Sequence, residues 1–228
     1  VSGDEALTHC LRNRYFYEKI NSALQRNEIE VLINFGCGFS MYPYLLSEGL
    51  IHIEIDKPDV ISHKQEKINS YLSDYKLPNR NVHYLSTDFS LNYELQLGHE
   101  IRTITEDRST FILLEGVLFF LNQKETIRLF DFFSKIQNPN DFIGSVSYNE
   151  SIRESKVFNR LVSFFKNEVA SSDHFDYQIL PDEFYENMDN YNLIDHQDYY
   201  NLINQYASEQ SFQDEVLNEQ LYLLKKRS

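Results

Sequence analysis

Val31-Leu32-Ile33-Asn34-Phe35-Gly36-Cys37-Gly38-Phe39-Ser40, with Ile51-His52-Ile53-Glu54-Ile55-Asp56 a few residues later, is the stretch on which the fold turns. The first five residues form a short, mostly apolar run that stops at a glycine. That length and its β-branched content predict a strand buried on both faces. Gly36 and Gly38 stand where the chain must turn sharply from strand to helix, and glycine permits the positive φ such a turn needs. Pro43 to Gly49 reads as a short helix closed by glycine. The second run is again β-branched and ends on an acid, and Pro58 opens a helix through Val60, Lys64, Ile68 and Leu72.

The same rhythm extends in both directions. Upstream, Asp4 to Arg26 predicts a helix, with Leu7, Leu11, Tyr15 and Ile20 near helical spacing. Downstream, Asn81 to Leu85 is a third strand leading to Asp88, and Ser109 to Glu115 a fourth. Gln123 to Ile136 is an amphipathic helix on Ile127, Leu129, Phe130 and Phe133, and Asp141 to Tyr148 a fifth strand. A helix from Ile152 to Val169 follows, and Glu219 to Leu224 reads as a final strand with Tyr191 to Tyr199 as its antiparallel partner. Strands alternating with helices predict an α/β fold: a doubly wound, mostly parallel sheet with an antiparallel C-terminal strand. No linker composition interrupts it, so one domain over residues 1–228 is expected. It divides into an N-terminal helical segment (1–28), a ligand-binding core (29–150) and an acceptor-side region with the C-terminal strands (151–228).

Composition narrows the function. Of 228 residues 42% are hydrophobic and 14% aromatic, enough for a full core and against wholesale disorder. Lys and Arg total 21 against 35 Asp and Glu, a formal charge of -14, which repels nucleic acid and anionic membranes; neither is expected as a partner. Cys10 and Cys37 allow one bridge at most and have no zinc spacing, so no metal is expected. No apolar run approaches the roughly eighteen residues of a membrane span, and the start lacks a signal-peptide pattern. A reducing cytoplasm is the expected compartment. The chain begins at Val1 without a methionine, as a fragment or trimmed chain would.

In open α/β sheets, ligands bind beyond the carboxyl ends of the strands. Gly36-Cys37-Gly38 follows the first strand, Asp56 the second, Asp88 the third, and Glu115 ends the fourth. Taken singly, a G-x-G turn occurs by chance, and an acid after a strand is ordinarily a turn residue or helix cap. Four such features in order favour a nucleoside-containing cofactor, with Asp56 placed to accept from ribose hydroxyls. A dinucleotide fingerprint wants a third glycine where Met41 stands, which opposes an NAD-dependent oxidoreductase. No Walker loop offers a phosphate cradle. An acidic pocket edge suits cationic groups and hydroxyls, and S-adenosylmethionine, with a sulfonium, an ammonium and a ribose diol, fits best.

Asn34-Phe35-Gly36-Cys37-Gly38, Glu54-Ile55-Asp56-Lys57-Pro58-Asp59-Val60-Ile61 and Glu115-Gly116-Val117-Leu118-Phe119-Phe120-Leu121 together resemble the leucine carboxyl methyltransferase family. Arg14-Tyr15-Phe16 resembles the arginine-aromatic segment that precedes the first strand there, and the likeness runs over residues 12 to 138. The resemblance implies a Rossmann-like class I methyltransferase using S-adenosylmethionine. It implies that Arg14 pairs with the cofactor's carboxylate and that Gly36, Cys37 and Gly38 let its methionine moiety lie against the backbone. Asp56 would bind the ribose, Asp88 and the Phe89 backbone the adenine, and Glu115 the ammonium. Two positions depart from the family: Ser40 stands where an aspartate is frequent, and Phe120 where a tyrosine is common.

A carboxylate acceptor is ionised at neutral pH and needs no general base, so the missing catalytic dyad is compatible with ester formation on a peptide or protein C-terminus or a natural-product acid. So acidic a protein would need a local cation to receive it. Arg153 and Arg160, with Tyr148, Asn149 and Phe120 beside them, are the candidates, against the reading of a solvated helix face for the arginines. His52 lies inside a strand and reads as structural, while His174 and His196 read as surface residues. Tyr177, Phe184, Tyr185, Tyr191, Tyr199 and Tyr200 either line an acceptor groove or build a core without tryptophan, the second being favoured. The alternatives are a catalytically silent binding module and a hydroxyl O-methyltransferase. Nothing in the residues specifies an oligomeric state.

Overall fold

The computed structural model describes residues 3–74, 76–169, 176–212 and 215–228. Seven strands, β1 (Val31–Phe35), β2 (Ile51–Asp56), β3 (Val82–Ser86), β4 (Thr110–Leu114), β5 (Phe142–Tyr148), β6 (Tyr191–Asp198) and β7 (Glu219–Lys226), form one sheet in the order β3-β2-β1-β4-β5-β7-β6. The first five run parallel to one another, and β7 runs antiparallel to both β5 and β6. Strand order reverses between β1 and β4, the topological switch where a crevice opens beyond the strand ends.

Successive side chains of a strand point to opposite faces, so the doubly buried strands need helices on both sides. These helices are α1 (Glu5–Gln25), α2 (Tyr42–Leu45), α3 (Pro58–Ser73), α4 (Glu94–Thr105), α5 (Gln123–Ile136), α6 (Lys156–Phe164), α7 (Asp182–Glu186) and α8 (Tyr199–Tyr206). On one face Ile33, Phe35, Ile55, Ile112 and Leu114 pack with Leu97 and Ile101 of α4 and Leu129 and Phe133 of α5. On the other, Leu32, Phe111, Leu113 and Leu221 pack with Leu11, Tyr15, Phe16 and Ile20 of α1 and Leu202 of α8. That second contact fixes which side of α1 faces the strand ends. No helix among the described residues is long and apolar enough to cross a membrane.

The structure differs from the expectations above at several elements, α7 and α8 among them. The helix expected from Pro43 to Gly49 is only the four-residue α2. α4, where no element is expected from the sequence, fills the crossover between β3 and β4. Ile127 of α5 is 54% exposed, and Phe132 is buried in its stead. The cause is α4: Phe132 reaches Tyr93 at its start (5.5 Å between centroids) and Phe35 of β1 (6.3 Å), which widens the apolar stripe in that direction. The long helix expected over 152–169 is broken into a 3-10 segment (Glu150–Glu154), α6 and a π-helical turn (Phe165–Val169). Ser155 is the breakpoint, its hydroxyl accepting from Phe158 N–H as an N-cap.

Candidate functional site

The glycine turn forms as its composition demands. Gly36 has φ +67° and Gly38 φ +46°. The N–H groups of Gly36 and Cys37 both donate to the Ile55 carbonyl (2.8 and 3.0 Å), tying the turn to β2. A Cβ on Gly36 would lie 2.2 Å from Val117 Cγ2, so the turns after β1 and β4 touch here, whereas one on Gly38 would meet nothing within 4 Å. The open side of the turn is therefore at Gly38. Its N–H donates to Asp56 Oδ2 (2.8 Å), and Lys57 N–H donates to Oδ1 (2.7 Å). Each carboxylate oxygen keeps a lone pair for a further donor. Ser40 has its own use: its hydroxyl accepts from Asn34 Nδ2 (2.8 Å), holding the turn back onto β1. Burial, then the charge of Glu54, pushes the Cys37 thiol up, so it is protonated and unsuited to nucleophilic work. Cys10 and Cys37 are both free thiols.

Asp88 follows β3, which is stitched to its neighbour by Thr87 N–H donating to the Asp56 carbonyl (2.9 Å). Its Oδ1 accepts from the N–H (2.9 Å) and hydroxyl (2.7 Å) of Ser90, and those bonds lower its pKa. The Phe89 ring turns inward against Phe35 (5.8 Å) and Tyr93 (5.6 Å).

The arginine at the strand ends is Arg12, not Arg14. Arg14 has a side chain 58% exposed, pairs with Glu18 on its own helix (2.9 Å) and lies over the Tyr206 ring; the structure does not bring it to the crevice. Arg12, 16% exposed, places Nε 3.2 Å from Glu115 Oε1 and donates through Nη1 to both oxygens of Glu219 (3.0 and 2.8 Å). Among the described residues its Nη2 has no hydrogen-bond partner. Burial works against the Arg12 cation, but Glu219 and then Glu115 outweigh it and raise its pKa. Burial raises the pKa of Glu115, opposed by Arg12. Tyr148 (3.4 Å) and Tyr199 also donate to Glu219, and burial followed by that carboxylate holds both phenols protonated.

Beside this cluster opens a cavity of about 450 Å³. Gly116, Phe119 and Phe120 form its β4 side, Val146 to Tyr148 its β5 side, and Leu161, Phe164 and Phe165 its outer wall; Glu5, Thr8, His9, Gln178, Tyr199, Leu217 and Glu219 complete it. Of the acceptor-side residues expected from the sequence, Phe120 (49% exposed) and Tyr148 line it. Asn149, Arg153 and Arg160 do not. Asn149 caps the 3-10 segment by accepting from Ser151 N–H (3.1 Å), and Arg153 pairs with Glu150 (2.6 Å) and donates to the Tyr177 hydroxyl (3.3 Å). Arg160 lies in a separate surface groove with Lys156 and Phe164. His52 is fully buried, and His196 is half-buried, stacked on Tyr222 (4.6 Å) and bonded to Gln220 (2.8 Å) rather than out on the surface; His174 lies outside the described residues. Tyr185, Tyr191 and Tyr199 are core residues, and Tyr200 is exposed. Among the described residues no group of three or more His, Cys, Asp or Glu could hold a metal.

Sequence reasoning missed Thr8, His9, Arg12 and Glu219. A signal existed for the first three: Glu5, Thr8, His9 and Arg12 recur at i, i+3, i+4 and i+7, one face of a helix. Glu219 had none, since it lies 207 residues from its partner Arg12.

The family model described as leucine carboxyl methyltransferase matches residues 5–134, which span the crevice and α1. The chain belongs to the leucine carboxyl methyltransferase family. It is an S-adenosylmethionine-dependent methyltransferase. Solved structures agree on the fold. A DUF574 family protein from Streptomyces avermitilis MA-4680 superposes with a TM-score of 0.71 at 9% identity, covering 97% of this chain and 84% of that one. The N-methyltransferase NodS from Bradyrhizobium japonicum WM9, in complex with S-adenosyl-L-homocysteine, gives 0.58 at 10% identity over 95% and 88%. Magnesium protoporphyrin IX methyltransferase from Synechocystis PCC 6803, also with bound S-adenosylhomocysteine, gives 0.56 at 10% over 96% and 84%. No curated protein sequence matches the chain.

Proposed function

We propose that this family member forms a methyl ester on a carboxylate. The crevice residues fit the cofactor on their own chemistry: the open glycine turn, the spare lone pairs of Asp56 and the buried Glu115 carboxylate face cationic and hydroxyl groups, with no phosphate cradle. Gly36, Cys37 and Gly38 would lie against the methionine moiety and Asp56 would accept from the ribose hydroxyls. Asp88 and the Phe89 main chain would hold the adenine edge, and Glu115 the ammonium. Arg12, through Nη2, takes the carboxylate role that the resemblance gave to Arg14. When bound, S-adenosylmethionine supplies a methyl group on a sulfonium, and the sulfur keeps the bonding pair as a carboxylate oxygen takes the methyl, so no proton moves.

The observation that carries the ester reading is the cavity wall. Ser147 is bonded to Leu180, Gln178 to Leu118 and Thr126, Thr8 to the Glu5 carbonyl, and Tyr148 and Tyr199 to Glu219. All are committed to partners within the protein, and His9, the histidine on the same wall, has no hydrogen-bonded carboxylate among the described residues to orient it as a general base. A hydroxyl acceptor would need such a base; a carboxylate needs alignment and a site closed to water. Methyl-tritiated S-adenosylmethionine with a panel of acids, phenols and amines tests this: label released by mild base is expected, and label stable to base overturns it. Calorimetry with S-adenosylhomocysteine tests the crevice separately. Asp56→Ala should weaken binding about tenfold to a hundredfold, the worth of hydrogen bonds to a charged group.

A further inference from the structure

A cavity of about 450 Å³ lies within the range, roughly 300–1,000 Å³, that encloses a small organic molecule. Phe119, Phe120, Leu161, Phe164, Phe165 and Leu217 give it an apolar wall. A peptide drawn inside would bring an N–H and a C=O with every residue, each needing a partner once buried. The serine, threonine, glutamine and tyrosine side chains that could serve are already bonded within the protein. His9 differs. It lines the same wall, one turn before Arg12 on the same face of α1, and has no hydrogen bond or ion pair among the described residues. Glu5 and Glu219 share that wall; Arg12 offsets Glu219, so one carboxylate can be received at His9, whereas a second adds repulsion with no further cation among the lining residues.

We infer that the acceptor is a free monocarboxylic acid with an apolar, aromatic or branched body, not the C-terminus of a peptide or protein, and that His9 donates a hydrogen bond to its carboxylate. The body packs against the apolar wall of Phe119, Phe120, Phe165 and Leu161, whose three phenylalanine rings contact one another. The acid end meets α1 at His9, one turn from Arg12. This rests on the ester reading above.

The test compares 3-phenylpropanoate, phenylsuccinate, a leucine-terminated hexapeptide and 3-phenylpropanol, using tritiated donor and the base-lability of the label. Binding of 3-phenylpropanoate is measured by calorimetry with S-adenosylhomocysteine present. Base-labile label on 3-phenylpropanoate, exceeding that on the diacid and the hexapeptide, is expected. His9→Ala should raise the acceptor KM about tenfold while kcat and S-adenosylhomocysteine affinity hold, and His9→Gln should recover part of the loss. Leu161→Trp, which fills the cavity, should abolish acceptor binding and spare S-adenosylhomocysteine binding. Preference for the hexapeptide, or an acceptor KM unmoved by His9→Ala, overturns this inference and leaves the ester reading standing. Base-stable label on 3-phenylpropanol overturns both.

Discussion

Gly36 and Gly38 look alike in sequence and differ in what surrounds them. Both have positive φ, but only Gly36 has a neighbour where a side chain would go. Gly36→Ala should therefore cost about 2–3 kcal/mol, the sum of backbone strain and overpacking. Gly38→Ala should cost about 1 kcal/mol from φ alone, and chiefly weaken S-adenosylhomocysteine binding. Urea midpoints and calorimetry on the two variants separate these outcomes. His52 presents a different residue-scale effect. Burial first, then Arg80 and Lys64, lower its pKa from 6.5 to about 4, and neither ring nitrogen has a hydrogen-bond partner. Between those values the unfolded chain binds a proton that the folded chain refuses, so His52's contribution to stability falls as pH drops from 6.5 towards 4. His52→Leu should recover up to about 3 kcal/mol of that acid-side loss, read as the difference between the two proteins' urea midpoints across the window.

At the scale of elements, the bounds of α5 were legible because its start carries a local signal, although the full set of residues it buries was not. Asn122 accepts from Glu125 N–H (3.0 Å) while Glu125 accepts from Asn122 N–H (2.8 Å), a reciprocal cap visible as Asn-x-x-Glu. Asn122→Ala should cost about 1 kcal/mol, measured by thermal or urea unfolding. The segment after β5 was misread for the opposite reason. Its apolar residues keep helical spacing through Val169, but the hydroxyl of Ser155 and the demand of Phe119, Tyr148 and Phe158 for a shared cluster interrupt the helix. Phe119 stands 5.6 Å from Tyr148 and 6.1 Å from Phe158, contacts that join three separate elements and leave no trace in periodicity.

At the scale of the molecule, the last strand is not an appendage. β7 lies between β5 and β6, and its Tyr222 stacks on Tyr185 (3.7 Å) and donates to Asp182 (2.5 Å). β7 also brings Glu219 under Arg12. A chain ending at Asn218 loses the strand that joins β5 to β6 and one anchor of the strand-end cluster. It should show no cooperative thermal transition by circular dichroism and no calorimetric response to S-adenosylhomocysteine. Glu219→Gln keeps the strand and removes only the charge. It should leave a cooperative transition with a lowered midpoint, because Arg12 then keeps Glu115 as its sole anionic partner among the described residues.

The parallel core, the glycine turn and the acids at the strand ends could be read directly from the residues, because strand burial, a turn needing positive φ and a proline-opened helix are settled within a few neighbours in the chain. Which arginine serves the crevice could not be read that way. Arg12 and Arg14 are two residues apart, which on a helix points them about 200° from one another. Only the packing of Tyr15 and Phe16 against the sheet turns Arg12 inward and leaves Arg14 to solvent. The cavity likewise needed tertiary structure, since its walls come from α1, the turns after β4 and β5, and the approach to β7, segments brought together only by burying both faces of the sheet.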